Sequence, residues 1–162
     1  MPVEVVVEAV RQGPGRQRPV VVLRQRHSSR TVALEVTQHE ADALAMALQR
    51  VRAARPLTHD LLATMLARLG ARVLDARIEW HAGQHRGLLR LDCAGEERRI
   101  ACRPSDALTV ALKVRAPLLC ADDVFAESIQ PGDAGLAPDE QARLAPFREF
   151  INSLDLEGFG TR

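Results

Sequence analysis

The sequence predicts an α+β fold made of two similar halves, and three observations carry that prediction. Short stretches that are valine-rich, or that alternate apolar with polar residues, mark three strands in each half. Apolar residues at helical spacing follow the third strand each time. The segment Asp42-Ala-Leu-Ala-Met-Ala-Leu48 returns as Asp106-Ala-Leu-Thr-Val-Ala-Leu112, identical at five of seven positions, so the order of three strands then two helices reads as an internal duplication.

Length and composition set the frame. A chain of 162 residues, 46% hydrophobic and 27% charged, suits one globular domain over residues 1–130, with a Pro/Gly linker and a terminal helix in 131–162. No apolar run approaches a membrane span, and the first residues lack the charged-then-apolar start of a signal peptide. A cytoplasmic protein without a membrane partner is expected. Cys93, Cys102 and Cys120 form no C-x-x-C pair and are odd in number, which argues against a disulfide framework and a thiolate zinc site and for small buried hydrophobes. A net charge of +1 supplies no global field for nucleic acid, so polyanion binding has to be local. One Trp, four Phe and no Tyr argue against a broad stacking platform for bases.

In the first half, residues 3–10 and 19–25 flank Gly13-Pro-Gly15 and form a hairpin with a long loop, beside which Arg24, Arg26 and Arg30 read as a solvated strand face. After a third strand at 31–36, Thr37-Gln-His-Glu40 has the spacing of a capping box and starts a helix at 39–51. Its buried stripe is Ala43, Leu44, Ala47, Leu48 and Val51. In Arg55-Pro-Leu-Thr-His-Asp-Leu-Leu62, Thr58 is the expected N-cap, and Leu61, Leu62, Met65, Leu66 and Leu69 the expected buried stripe before Gly70.

The second half opens on Leu74, Ala76, Ile78 and Trp80, which alternate with Asp75, Arg77 and Glu79. His81-Ala-Gly-Gln-His85 joins this strand to another at 87–93; its two histidines have a helical zinc spacing, but Gly83 makes the segment a loop. A turn at Gly95-Glu-Glu leads to a strand at 98–102. Residues 116–120 read as a short buried segment and 122–129 as a short helix with Val124, Phe125 and Ile129 inward. A final helix at about 139–154, with Leu144, Phe147, Phe150, Ile151 and Leu154 on one side, is expected to pack on the body or on a dimer partner.

The most suggestive chemistry is at Ile100-Ala-Cys-Arg-Pro-Ser-Asp106. Pro104 suits the first position of a helix, Asp106 favours its dipole, and Arg103 stands beside unpaired backbone N–H groups that attract anions. His59 and Asp60 occupy another helix start, beside Arg55. They admit two readings, capping chemistry or acid/base work on a phosphodiester; Glu40 likewise is either a cap or a metal ligand.

The segment from Arg55 to Leu62, with Arg103-Pro-Ser-Asp-Ala107 and Ala116-Pro117, resembles the signature of the bifunctional nuclease domain family over roughly residues 3–129. The resemblance implies two strand-rich repeats wrapped into one barrel-like mixed sheet with helices outside, pairing as a homodimer, and cleavage of RNA and DNA. The family's marked positions fall on Glu40, Arg55, His59, Asp60, Arg103, Ser105 and Asp106. The expectation is therefore metal-assisted phosphodiester hydrolysis without an organic cofactor. Arg55, Arg103 and Ser105 would bind phosphate, Asp60 and Asp106, with Glu40, would hold Mg2+ or Mn2+, and His59 would be the general base or orient the water. Thr37 and Ala101 depart from the pattern, which has glycine and aspartate there. The missing carboxylate keeps open the alternative of a non-catalytic anion-binding or regulatory module of the same fold.

Overall fold

The computed structural model describes residues 1–12 and 18–127. The first half runs β1 (Val3–Arg11), β2 (Val20–Gln25), β3 (Thr31–Glu35), α1 (Gln38–Leu48) and α2 (Thr58–Arg68). The second runs β4 (Ala71–His81), β5 (Gln84–Cys93), β6 (Glu96–Cys102), α3 (Pro104–Val114), β7 (Leu118–Cys120) and α4 (Asp122–Glu127). The expected linker and terminal helix, with Ile129, lie outside the described residues.

Turn chemistry sets the register of the second half. Ala82 and Gly83 (φ 50° and 78°) and Ala94 and Gly95 (φ 56° and 89°) both take the left-handed backbone. Each pair closes a two-residue hairpin turn whose twist matches the flanking strands, which pairs His81 with Gln84 and Cys93 with Glu96. The seven strands order as β3-β2-β1-β7-β4-β5-β6. All neighbours are antiparallel except β4 and β7.

Two expectations need correction. The sheet is open, not a barrel: β3 and β6 are its edges, and β6 presents Glu96, Glu97, Arg98 and Arg99 to solvent, which keeps that edge wet. The halves also differ in build, because the second adds β7 between β1 and β4 and ends in a helix of six residues where α2 has eleven. The order of three strands and an eleven-residue helix recurs as far as α1 and α3, and beyond that point the halves do not match.

The core lies between the sheet and the paired helices α1 and α3. Val5, Val21, Leu23, Val32 and Leu34 meet Ile78, Leu89 and Leu91 from the sheet, with Leu44 and Leu108 from above. Small residues at Ala41, Ala107 and Ala111 let α1 and α3 approach closely, and α3 carries six buried residues. Burying a leucine such as Leu108 stabilises by about 1.5–3 kcal/mol, so the α3 stripe anchors the helix whose start carries the suspected site. Val124 and Phe125 of α4 are buried as expected. Arg24, Arg26 and Arg30 do form a solvated face, paired with Glu8, Glu4 and Asp122.

Helix α2 is turned the other way from expectation. It has no buried residue; Leu61, Met65 and Leu69 are 56%, 49% and 78% exposed, while its half-buried positions are His59, Asp60, Ala63 and Leu66. Its inner face is the one that reaches α3 with polar groups. Leu57, not Thr58, is the N-cap, and its N–H is taken by the Asp60 carboxylate at 2.9 Å. Leu48 and Val51, expected in the buried stripe of α1, are also exposed.

Candidate functional site

Three helix starts meet through side-chain bonds. At α1, the capping box forms as expected: Thr37 N–H and Oγ1 donate to Glu40 Oε2 at 2.7 and 2.9 Å, so threonine at this position has a structural use. This aims Glu40 Oε1 at the start of α3, where it accepts from Ser105 Oγ at 2.8 Å and pairs with Arg103 Nη1 at 2.8 Å. Arg103 also grips Asp106 with Nε (2.7 Å) and Nη2 (2.9 Å) in a bidentate fork. From α2, His59 Nε2 meets Asp106 Oδ1 at 3.1 Å. The result is a continuous chain Glu40, Arg103, Asp106, His59.

Of the remaining sequence candidates, Asp60 and Arg55 stand apart from this chain and Ser105 is bonded into it. Asp60 faces Lys113, whose Nζ is 2.5 Å from Oδ1. Arg55 is exposed and makes no ion pair among the described residues. Ser105 is 3% exposed, with its hydroxyl spent on Glu40.

The electrostatics follow from these partners. Burial by itself raises the Asp106 carboxyl, but the Arg103 guanidinium and His59 outweigh it and hold the group below its ordinary value. Glu40 behaves alike: burial raises it, and the Thr37 N–H, the two hydroxyls and Arg103 bring it net lower. Asp60 is lowered chiefly by Lys113. Burial pushes the Cys102 thiol up to about 11 and that of Cys120 to about 12, which favours the thiol over the thiolate at neutral pH.

A divalent cation does not fit these donors as they are arranged. Both oxygens of Asp106 are held by Arg103, those of Asp60 by Lys113 and the Leu57 N–H, and those of Glu40 by Thr37, Ser105 and Arg103. Asp60 and Asp106 share no hydrogen-bond partner among the described residues, though His59 acts electrostatically on both. Among the described residues no group of three His, Cys, Asp or Glu side chains is placed to hold a metal. Ligation would need Arg103 or Lys113 to leave, and each is a cation already in the ion's place.

Several residues of the site carry no local sequence signal. A cavity of about 510 Å3 opens beside Arg103, lined also by Glu40, Ser105, Arg18, His85 and Arg86. His85, edge-on to Trp80 at 4.8 Å, has its imidazole pushed below the ordinary value by burial. Its Nε2 and the Nε of Arg86 are buried without a hydrogen-bond partner among the described residues. The Arg86 Nε–H is a donor and the His85 Nε2 a donor or an acceptor according to its tautomer, and such buried groups receive a ligand readily because left unmet they are costly. Gly87 of β5 lies against the Arg103 carbonyl so closely that a Cβ there would fall 2.5 Å from the oxygen. Only the packing of β5 against α3 reveals its role.

Among the described residues no helix is long and apolar enough to cross a membrane. Residues 21–132 match the bifunctional nuclease domain. The chain is also similar to two proteins of Mycobacterium tuberculosis, "Uncharacterized protein MT1877" of strain CDC 1551 and "Uncharacterized protein Rv1829" of strain H37Rv. Each is 30% identical over 166 residues, covering 96% of this chain and 97% of the relative. The Arg-Pro-Ser-Asp start of α3 and the His59 that joins it fall within the matched residues, and the chain belongs to the bifunctional nuclease domain family.

Proposed function

We propose that the protein hydrolyses phosphodiester bonds of RNA or DNA at Arg103 and His59. The observation that carries this reading is the bond between His59 Nε2 and Asp106, itself clamped by Arg103. With Nε2–H donating to Asp106, the Nδ1 lone pair is left to take a proton from the water that bonds to phosphorus, while the P–O bond to the leaving strand breaks and its oxygen takes a proton from solvent. Asp106 orients the ring and stabilises the imidazolium that forms. Arg103 has five N–H donors, of which three are used on Glu40 and Asp106. Two remain for phosphate oxygens, on a side chain 64% exposed, and Glu40 and Asp106 hold the guanidinium in place before the substrate arrives. No step is routed through a metal ion.

The test is cleavage of end-labelled single-stranded RNA and duplex DNA by purified protein, with EDTA, Mg2+ or Mn2+, beside a His59→Ala variant shown to be folded. Cleavage that persists in EDTA and falls about 10²–10⁴-fold in the variant supports the reading. Equal cleavage by both proteins overturns it. Cleavage that requires the cation would bring back the metal expected from the sequence and displace the metal-free mechanism. The second reading, a non-catalytic anion-binding module, is favoured by one feature: every carboxylate of the cluster is neutralised by a basic partner. The same proposal pairs two copies of the chain through α2, supported by its outward stripe of Leu61, Met65 and Leu69.

A further inference from the structure

We propose that the basic cavity where α1 and α3 end is a second phosphate subsite, which holds a more distant phosphate of the strand being cut at Arg103. The inference deepens the nuclease reading and rests on it. The cavity measures about 310 Å3 and is lined by Arg50, Arg52, Lys113 and Arg115 with Asp60. Lys113 is paired with Asp60; the three arginines make no ion pair among the described residues. Four cations thus face one carboxylate. The carbonyl ends of two helices add about half a negative charge each, which leaves a positive surplus.

Backbone geometry gives a second, independent observation. Arg50 (φ 55°) and Arg115 (φ 59°) both adopt the left-handed conformation that glycine ordinarily takes after a helix. An L residue there is disfavoured by about 1–2 kcal/mol, and here it happens twice around one cavity, each time at an arginine that lines it.

The two sites are joined by α3. Asp106 and Lys113 are seven residues apart, two turns, and so share a helix face. From Arg103 to Arg115 the rise is about 18 Å at 1.5 Å per residue. That is farther than two adjacent phosphates of a strand can lie apart. A dinucleotide can therefore fill only one site, whereas a longer strand running along α3 fills both, and guanidinium forks suit its phosphates.

The experiment measures binding of fluorescein-labelled single-stranded dinucleotides, tetranucleotides and octanucleotides by anisotropy, on the full chain carrying His59→Ala so that none is cut. The octanucleotide should bind about tenfold or more tighter than the dinucleotide. Arg50→Gly with Arg115→Gly should remove that gain, and lower the slope of log affinity against log salt by about 0.7 for each phosphate no longer bound. Glycine suits both positive-φ positions, so these variants keep the fold. Arg52→Glu, on the same wall, is the second variant and should act in the same direction. A length gain and salt slope unchanged in both variants, or no length gain in the parent, would overturn the subsite. Lost gain in the variants together with no cleavage by the His59-intact chain would keep the subsite and remove the nuclease.

Discussion

Replacing Gly87 with alanine tests whether the start of α3 is seated by its packing on β5. The added Cβ would stand 2.5 Å from the Arg103 carbonyl oxygen, 2.8 Å from its carbon and 3.0 Å from the Ala107 Cβ. The first two are backbone atoms, which cannot swing aside, and the oxygen accepts the first helical bond from Ala107 N–H at 3.2 Å. Relief needs a shift approaching about 1 Å between β5 and α3, and overpacking of this kind destabilises by about 1–3 kcal/mol. Against that, alanine restricts the unfolded chain, which offsets about 0.4–1 kcal/mol. A net loss of about 1–2 kcal/mol corresponds to a fall of roughly 2–8 °C in the melting temperature of a domain this size. The displaced segment carries Arg103, Ser105 and Asp106, so cleavage per folded molecule should drop as well, by up to about 10²-fold for a displacement near 1 Å. Scanning fluorimetry and the end-labelled cleavage assay read the two effects. Gly95→Ala is the control: its φ of 89° strains alanine, but nothing lies within 4 Å, so it should lower stability and leave cleavage intact. A Gly87→Ala protein that melts and cleaves like the parent would refute the seating argument.

Acid should destabilise the protein in two steps. His85 is lowered by burial, so below its ordinary pKa of about 6.5 the unfolded chain binds the proton more readily, and stability falls as pH drops past that point. Glu40, Asp60 and Asp106 are all lowered, so their contribution is complete above the ordinary carboxylate range near about pH 4 and is lost as pH falls through the lowered values. Urea midpoints across pH should show both steps, and His85→Gln should remove only the upper one; a parent with no loss between about pH 7 and 5 would contradict it. The proposed pairing through α2 predicts a dimer in light scattering that Leu61→Glu with Met65→Glu converts to a monomer, and a monomeric parent or an unchanged mass would dismiss α2 as the interface.

What is legible in the sequence is local, and what it hides depends on packing between distant segments. The strands, the Thr37 capping box and the Arg-Pro start of α3 are set by neighbours in the chain, and they form. The orientation of α2 defies its pattern because an apolar stripe normally turns inward, whereas this helix turns His59, Asp60, Ala63 and Leu66 inward instead. Glu40, His59, Arg103, Ser105 and Asp106 are all recognisable as candidates from their motifs, and the structure joins them. The motifs also group Asp60 with Asp106, yet its partner is Lys113, 53 residues away. Nothing local could announce that pairing. The open sheet is hidden for the same reason, since β7 is three residues long and enters between β1 and β4.

Asp106→Asn separates catalyst from binding module by the sign of two effects. The carboxylate neutralises Arg103 through two bonds and also bonds His59. Without its charge Arg103 has less to compete with an incoming phosphate, so affinity for an oligonucleotide should rise, by about threefold to tenfold for the loss of one partly exposed ion pair. His59 meanwhile faces an amide that can donate as well as accept, which no longer fixes its tautomer, and the negative charge beside its ring is gone, so turnover should fall by about 10²-fold or more. A catalyst therefore shows tighter binding and slower cleavage in the same variant. A binding module shows the tighter binding with no cleavage in either protein. Weaker binding would refute both, because it would mean that Asp106 holds Arg103 in position more than it neutralises it. Anisotropy at two salt concentrations strengthens the comparison: the gain in affinity comes from charge and should shrink at high salt, whereas a loss of positioning should not.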